Sequence, residues 1–320
     1  MGLNVEPSHM NLTAAVASLR GKHRNQAKLR LVLAITSTGR REILSETLRA
    51  LALQTRRPDL IVLSVASEED FDAALVQNLV ASSVVVSGPK GGCAQRNRVL
   101  EMLRPDDIVM MTDDDFLMAP DYLEQAMRLF AARPDMVMAT GKVLADGICG
   151  PGYDHAEGRR HLGSARGDST AAVQPAYNAY GCNMAIRAYP ELQNKLRYDE
   201  RLPLYGWLED VDFSRRLAAY GQIIRSPALV GVHLGTKTGR QSGLRLGYSQ
   251  IANPLYLIGK GSIDRRLAFR LMARNVAANV LHAARPEPWV DRRGRLKGNL
   301  LAVFELIRGR LAPERVLELG

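Results

Sequence analysis

The chain has little cysteine, no long apolar run and few aromatic residues. Three cysteines stand among 320 residues, at Cys93, Cys149 and Cys182. An odd number without short spacing argues against a disulfide framework or a zinc knuckle and fits a reducing cytoplasm. No apolar stretch reaches the ~18 residues that span a bilayer. No hydrophobic signal segment opens the chain. Aromatic residues make up 6% and none interleaves with the basic runs. That weighs against a nucleic-acid partner, which would stack its bases on such rings.

What remains is an ordinary globular composition, 46% hydrophobic and 24% charged, with a net charge of +10. The length suits one large α/β domain or two smaller ones. The charge is uneven. Residues 20–30 carry five Lys/Arg and no acid, and residues 260–320 carry thirteen Lys/Arg against six Asp/Glu. Basic ends of this kind serve an anionic membrane surface, nucleic acid, or solubility alone. Residues 1–29 read as a basic N-terminal extension, with 1–9 a cloning remnant before Met10.

From Arg30 onward, apolar runs of strand length alternate with helical patterns. Residues 30–36, 60–65, 84–87 and 108–111 read as buried strands. Helices follow the turn 37–40, the acidic cap 67–70 and the Gly-rich loop 88–92. Such alternation predicts an α/β domain: a Rossmann-like, mostly parallel sheet with helices on both faces. Residues 122–132 read as helix and 136–143 as strand. Residues 146–172 are Gly-rich and charged without a period, and read as a long functional loop. Residues 181–187 form a short strand, 209–220 a helix stopped by Gly221, and 223–233 a strand pair. Three helices near 247–260, 263–283 and 296–311 make a C-terminal helical extension.

The organising stretch is 107–116, DIVMMTDDDF. A buried strand that ends in Asp113, Asp114 and Asp115 is costly unless a cation offsets the repulsion. Ligands of open α/β sheets sit outside the carboxyl ends of strands. Hard divalent ions such as Mg²⁺ and Mn²⁺ take oxygen ligands and substrate phosphates. Asp113 and Asp115, two apart, point the same way and can share one ion, with Asp114 turned aside. The alternative is a solvated acidic loop. The loop 88–92 with Lys90, Arg96 and Asn97 suits an anion, although it has neither a Walker nor a dinucleotide pattern. Glu209 and Asp210 open a helix, as dipole partners or as a general base. Tyr205 and Trp207 offer an apolar platform for a sugar. His233 ends a strand and becomes a ligand only if the acids lie near it.

In this order, the motifs resemble the family 2 glycosyltransferases, which have the GT-A fold. The resemblance covers about residues 30–260. Asp113 to Asp115 resembles the family's Asp-x-Asp, and Gln95-Arg96-Asn97 its Ala-Arg-Asn. Gly181-Cys182-Asn183-Met184 with Arg187 resembles Gly-Gly-Asn-Met-x-x-Arg. Tyr198-Asp199-Glu200, then Glu209-Asp210-Val211-Asp212 with Arg216-Leu217, resembles Phe-Asp-Glu and Glu-Asp-Val-Asp-x-x-x-Arg-Leu. There are departures. Arg40 keeps the arginine of the common Pro-x-x-x-Arg without its proline. Residues 64–67 lack the acid that often holds the nucleobase. Trp207-Leu208 separates Gly206 from Glu209.

The resemblance implies inverting transfer from a nucleotide-diphosphate sugar, foremost a UDP-sugar. The acceptor is then a hydroxyl of a glycan or lipid-linked molecule, in cell-surface or extracellular polysaccharide synthesis. It implies Mn²⁺ or Mg²⁺ on Asp115, Asp113 and His233. It places Thr36, Arg40, Lys90, Arg96, Asn97, Asp113, Asp114, Gly181 and Asn183 around the donor. Asp210, ahead of Glu209, is the implied base, and Tyr205 and Trp207 line the acceptor side. The chain divides into a nucleotide-sugar-binding half at 30–145, an acceptor-binding and catalytic half at 146–246, and the extension at 247–320. Two competing readings are a sugar nucleotidyltransferase and a basic nucleic-acid-binding protein. The first would need a triphosphate loop directly after strand one, and 37–40 is too short for it. Arg266, Arg270 and Arg274 form one stripe on the extension. The stripe is either a solvated face or a contact with an anionic membrane surface, peripheral on its inner face.

Overall fold

The computed structural model describes residues 29–79, 81–238 and 242–319. Residues 1–28 of the basic N-terminal extension lie outside them, as do Gly239 and Arg240. In chain order the elements are β1 (Arg30–Thr36), α1 (Arg41–Ala50), β2 (Leu60–Val65), α2 (Ala73–Gln77), β3 (Ser83–Ser87), α3 (Gly92–Leu100), β4 (Asp107–Asp113), β5 (Phe116–Met118), α4 (Tyr122–Ala132), β6 (Met136–Asp146), α5 (His155–Leu162), β7 (Gln174–Pro175), β8 (Asn183–Arg187), α6 (Ala188–Gln193), α7 (Glu209–Leu217), β9 (Gln222–His233), α8 (Gly243–Lys260), α9 (Arg265–His282) and α10 (Arg292–Ile307).

The apolar strands build one sheet in the order β3-β2-β1-β4-β8-β6-β9-β5, with β7 also paired to β9. Strands β1, β2, β3, β4, β6 and β9 run one way, and β8 runs against them between β4 and β6. Period-two alternation buries both faces. Val32, Ala34, Val109 and Met111 enter one core cluster, and Leu31, Leu33, Ile108 and Met110 the other. The register then brings the polar strand ends together. Thr36 pairs with Asp113, and His233 pairs with both Asp146 and Phe116. The antiparallel β8 sets Asn183 beside Thr112.

Three segments differ from the pattern expected of the sequence. The stretch 146–172 holds α5, whose Asp154 and Glu157 form a capping box. This helix turns Gly158 inward, and a Cβ there would meet Leu234 Cδ2 at 2.4 Å and Leu117 Cδ1 at 2.7 Å. It therefore shows no apolar period. Residues 223–233 are one strand, not a pair. The strand loses register against β6 around Pro227 and resumes at Val230. The 67–70 cap serves a single 3₁₀ turn before α2.

The C-terminal helices pack through Tyr248, Ile251, Ala252, Met272 and Ala302. Helices α8 and α10 touch backbone to backbone at two glycines. A Cβ on Gly247 would meet Arg295 O at 2.0 Å, and one on Gly298 would meet Leu244 O at 2.1 Å. Leu257, Ile263 and Ala268 belong to the first sheet-facing cluster, so the extension shares that core.

Helix α7 is fastened by Phe213, fully buried and stacked on Tyr198 with centroids 4.1 Å apart. Phe213→Ala is expected to cost about 3–5 kcal/mol of unfolding free energy, since it opens a cavity in the core. Urea unfolding followed by circular dichroism measures this, and an unchanged midpoint would remove the ring from that role.

Candidate active site

The site forms where the strand ends converge on a cleft of about 740 Å³. Strand β4 stops at Asp113, and Asp114 and Asp115 make the tight turn into β5. The three acids part company there. Asp114 turns away from the other two and accepts from Ser37 Oγ at 2.6 Å and from an Arg40 guanidinium nitrogen at 3.0 Å. Burial pushes its pKa up to about 7, with Arg40 pulling the other way. Asp115 accepts from the Thr236 amide at 2.8 Å. Burial works against its charge too, but His233 and Arg40 outweigh it and hold this carboxylate well below the usual range.

Asp113, Asp115 and His233 bring one potential ligand atom each within 4.8 Å of one another. His233 Nδ1 meets Asp146 Oδ1 at 2.8 Å, while Nε2 faces Asp115 Oδ1 at 3.4 Å. Burial disfavours the imidazolium, but Asp115 and Asp146 outweigh it and raise its pKa to about 10. Asp146 is itself braced by the Tyr180 hydroxyl at 2.9 Å and the Ile148 amide at 3.1 Å. The donor set fits a hard divalent ion. Asp115 Oδ1 is buried and accepts no hydrogen bond from the described residues. A carboxylate on Nδ1 is the usual brace of a ligating histidine, leaving Nε2 for the ion.

Across the cleft, α7 begins at a left-handed residue. Leu208 has φ 75°, and Leu204 and Gly206 just before it have φ 58° and 60°. Non-glycine residues in this region carry strain that the surroundings must hold. The turn aims Glu209 and Asp210 at the cleft from the helix N-terminus, where acids are favoured. Asp210 accepts from the Gly181 amide at 3.0 Å and the Val211 amide at 2.8 Å. Desolvation raises its pKa, and Arg96 opposes the rise. Buried Arg96 pairs with Glu209, reaches Asp113 Oδ1 at 3.2 Å and donates to Gly181 O at 3.2 Å. One guanidinium thus bridges the acid turn, the start of α7 and the 181 loop.

Comparison with known proteins adds to this geometry. The family described as "Glycosyltransferase like family 2" matches residues 29–186. The glucosyl-dolichyl phosphate glucuronosyltransferase of Haloferax volcanii is 23% identical over 291 residues, covering 88% of this chain and 85% of that protein. Residues 29–186 are a family 2 glycosyltransferase domain. Its fold is GT-A, like that of the GalNAc-T7 crystal structure with UDP, GalNAc and Mn²⁺, at a TM-score of 0.50 and 13% identity. That alignment covers 93% of this chain, which spans only 57% of the GalNAc-T7 chain. S. aureus TarS matches at a TM-score of 0.46 and 14% identity, over 70% of this chain and 40% of its own.

In this glycosyltransferase, most residues expected from the sequence lie on the cleft. Thr36, Arg40, Lys90, Arg96, Gly181, Tyr205, Trp207, Glu209, Asp210, His233 and the three acids line it. Two do not. Asn97 spends its amide on Tyr198 backbone atoms at 2.7 and 3.0 Å and on Glu200 at 2.7 Å. Asn183 is fully buried in the sheet, its Oδ1 accepting from Thr140 Oγ1 at 2.5 Å and the Gly141 amide at 3.1 Å. Both order the backbone around the site. Asp70, the third acid after strand two, is likewise spent on the amides of Gly39, Ala66 and Ser67.

Sequence reading missed Asp146, Ser37, Gln95 and Thr236. Gln95 ties the ends of β1 and β2 by donating to Ser37 O and Ser64 O at 2.8 and 2.9 Å. The α9 wall of the cleft was missed too: Leu267, Leu271 and Arg274 face it, with Arg245 of α8. Only the register of β6 against β9 puts Asp146 beside His233.

Because Arg96 neutralises a buried acid, Arg96→Leu should destabilise the enzyme by about 3–5 kcal/mol, the usual cost of orphaning one partner of a buried pair. Chemical denaturation tests it. A variant as stable as wild type would show that Glu209 finds its charge compensation elsewhere.

Proposed function

We propose that this glycosyltransferase moves a sugar, with inversion, from a nucleotide-diphosphate donor to a hydroxyl of a glycan or lipid-linked acceptor. The observation that carries the reading is the convergence on one cleft of Asp210 and the set Asp113, Asp115 and His233. Asp210 is the base. Its two backbone donors fix the carboxylate and leave lone pairs for a substrate proton. Glu209 is tied up by Arg96 and serves as its counter-charge. The acceptor oxygen bonds to the anomeric carbon as the bond from that carbon to the diphosphate breaks. The proton passes to Asp210, and the nucleoside diphosphate leaves.

Asp115 and Asp113 would hold Mn²⁺ or Mg²⁺, with His233 completing the set once it gives up its proton. Such an ion neutralises charge on a diphosphate, worth several kcal/mol. Arg40 and Lys90 line the cleft and would face the donor, with Thr36 at the end of β1. UDP is the proposed nucleotide, by analogy with the ligand of GalNAc-T7 in the same fold. A lipid-linked acceptor is supported by the name of the Haloferax relative. Tyr205 and Trp207 form its proposed wall. The three free cysteines favour action on the cytoplasmic side, at the inner face of a membrane, in surface polysaccharide synthesis. No helix among the described residues is long and apolar enough to cross that membrane.

Asp210→Asn should keep donor binding and lose about 10²–10⁴-fold in turnover, the usual contribution of a general base. Turnover near wild type would take Asp210 out of the role. Because the Asp210 pKa is raised, its basic form is lost at a higher pH than for an ordinary carboxylate. The rising limb of the kcat–pH profile should therefore lie above the usual carboxylate range and vanish in Asp210→Asn. A nucleotide-diphosphate thermal-shift panel tests the donor side. UDP should stabilise the wild type only with Mn²⁺ or Mg²⁺, and Asp115→Asn should abolish that dependence. Equal stabilisation without metal would overturn the assignment.

A further inference from the structure

The C-terminal helices turn an apolar face outward. Of the seventeen large hydrophobic side chains exposed among the described residues, ten follow Ile263, so the exposure is concentrated rather than scattered. On α10, Leu300, Val303, Phe304 and Ile307 are 63%, 43%, 48% and 79% exposed. Their i, i+3, i+4, i+7 spacing is that of a helix face made for burial, yet no described residue covers it. The opposite face of α10, with Gly298, Asn299, Ala302 and Glu305, does the packing. On α9, Phe269 and Leu281 are likewise exposed.

The unpaired charge of this extension is of one sign. Every acid from Lys260 to Leu319 is used internally. Asp264 and Asp291 cap α9 and α10, Glu287 pairs with Arg292, Glu305 and Glu318 pair with Arg315, and Glu314 pairs with Arg201. Arg266, Arg270, Lys297 and Arg310 make no ion pair among the described residues, and Arg308 lies over the Phe304 ring at 4.0 Å. A second copy on this face would bring like charges together, since a two-fold interface repeats the same patch on both sides. An anionic surface with an apolar interior meets both features at once.

We propose that the outward face of α9 and α10 docks on an anionic lipid bilayer, with the apolar stripe inserted among the acyl chains and the cations on the headgroups. The same α9 carries Leu267, Leu271 and Arg274 on the cleft wall, Arg274 one turn beyond Arg270. Docking there sets the cleft beside the lipid surface; only this last step rests on the lipid-linked acceptor proposed above. Flotation of the full chain with vesicles tests the docking without donor, metal or turnover, so its failure is separate from failure of the transfer reading.

The wild type should float with phosphatidylcholine–phosphatidylglycerol vesicles at low salt and be released by high salt. It should stay behind with phosphatidylcholine alone. Phe304→Asp combined with Ile307→Asp, and Arg266→Glu combined with Arg270→Glu, should each weaken the partition by about ten-fold or more. Both should melt like the wild type and keep the metal-dependent shift with UDP. No flotation on anionic vesicles, equal flotation on neutral ones, or folded double variants that bind undiminished would each overturn the proposal. Light scattering showing a dimer that Phe304→Asp with Ile307→Asp dissolves would also overturn it, assigning the face to a second copy.

Discussion

Five carboxylates, those of Asp113, Asp114, Asp115, Glu209 and Asp210, line one cleft, and three internal cations balance them. Arg40 takes Asp114, His233 lies against Asp115, and Arg96 spans Glu209 and Asp113. Like charges this close would otherwise shift one another's pKa and push the strands apart. The balance depends on sheet register. Thr36 opposite Asp113 delivers Arg40 to the acid turn, and His233 opposite Asp146 delivers the imidazole. A one-residue slip of either strand would turn those groups to the wrong face. The same register that buries the core therefore sets the charge of the site.

Placement also separates tasks among groups of one kind. Asp114, fully occupied by Ser37 and Arg40, is structural support for the turn between its neighbours. Asp115 is kept charged by cations and an amide, as suits a group that receives a cation. Asp210, with its raised pKa at a helix start, is suited to exchange a proton. The left-handed backbone at Leu204, Gly206 and Leu208 points α7 into the cleft, so local strain is spent on direction.

Much of this was legible in the sequence because the signals were local. The continuous apolar runs of β1, β2 and β4 identified a two-faced sheet, and the acids at 113–115 and 209–210 stood out as charges at element ends. What was illegible was non-local or negative. Asp146 acquires meaning only across the β6–β9 register. Asn97 and Asn183 carry the family pattern, yet the Asn97 amide and the Asn183 Oδ1 are engaged by groups distant in sequence. Helix α5 hid because it buries a glycine where an apolar side chain would have shown a period. Pro227 broke the pattern of β9 without breaking the strand. The C-terminal arginines could be counted, but whether their helices faced the cleft or solvent depended on tertiary packing; α9 does both.

The glycine contacts between α8 and α10 have a mechanical side. Two helices that meet backbone to backbone leave no soft side-chain layer to absorb a relative shift. Helix α8 is in turn tied to the cleft rim, where Asn253 donates to Trp207 O at 2.8 Å, and Tyr256 and Lys260 hold Asp199. Load applied to the tail reaches the 199–208 rim with little loss. The tail is therefore a poor candidate for exchange by domain grafting. A foreign helical tail would have to reproduce two flush glycines and an amide aimed at one carbonyl, or the rim that orients α7 would lose its outer support.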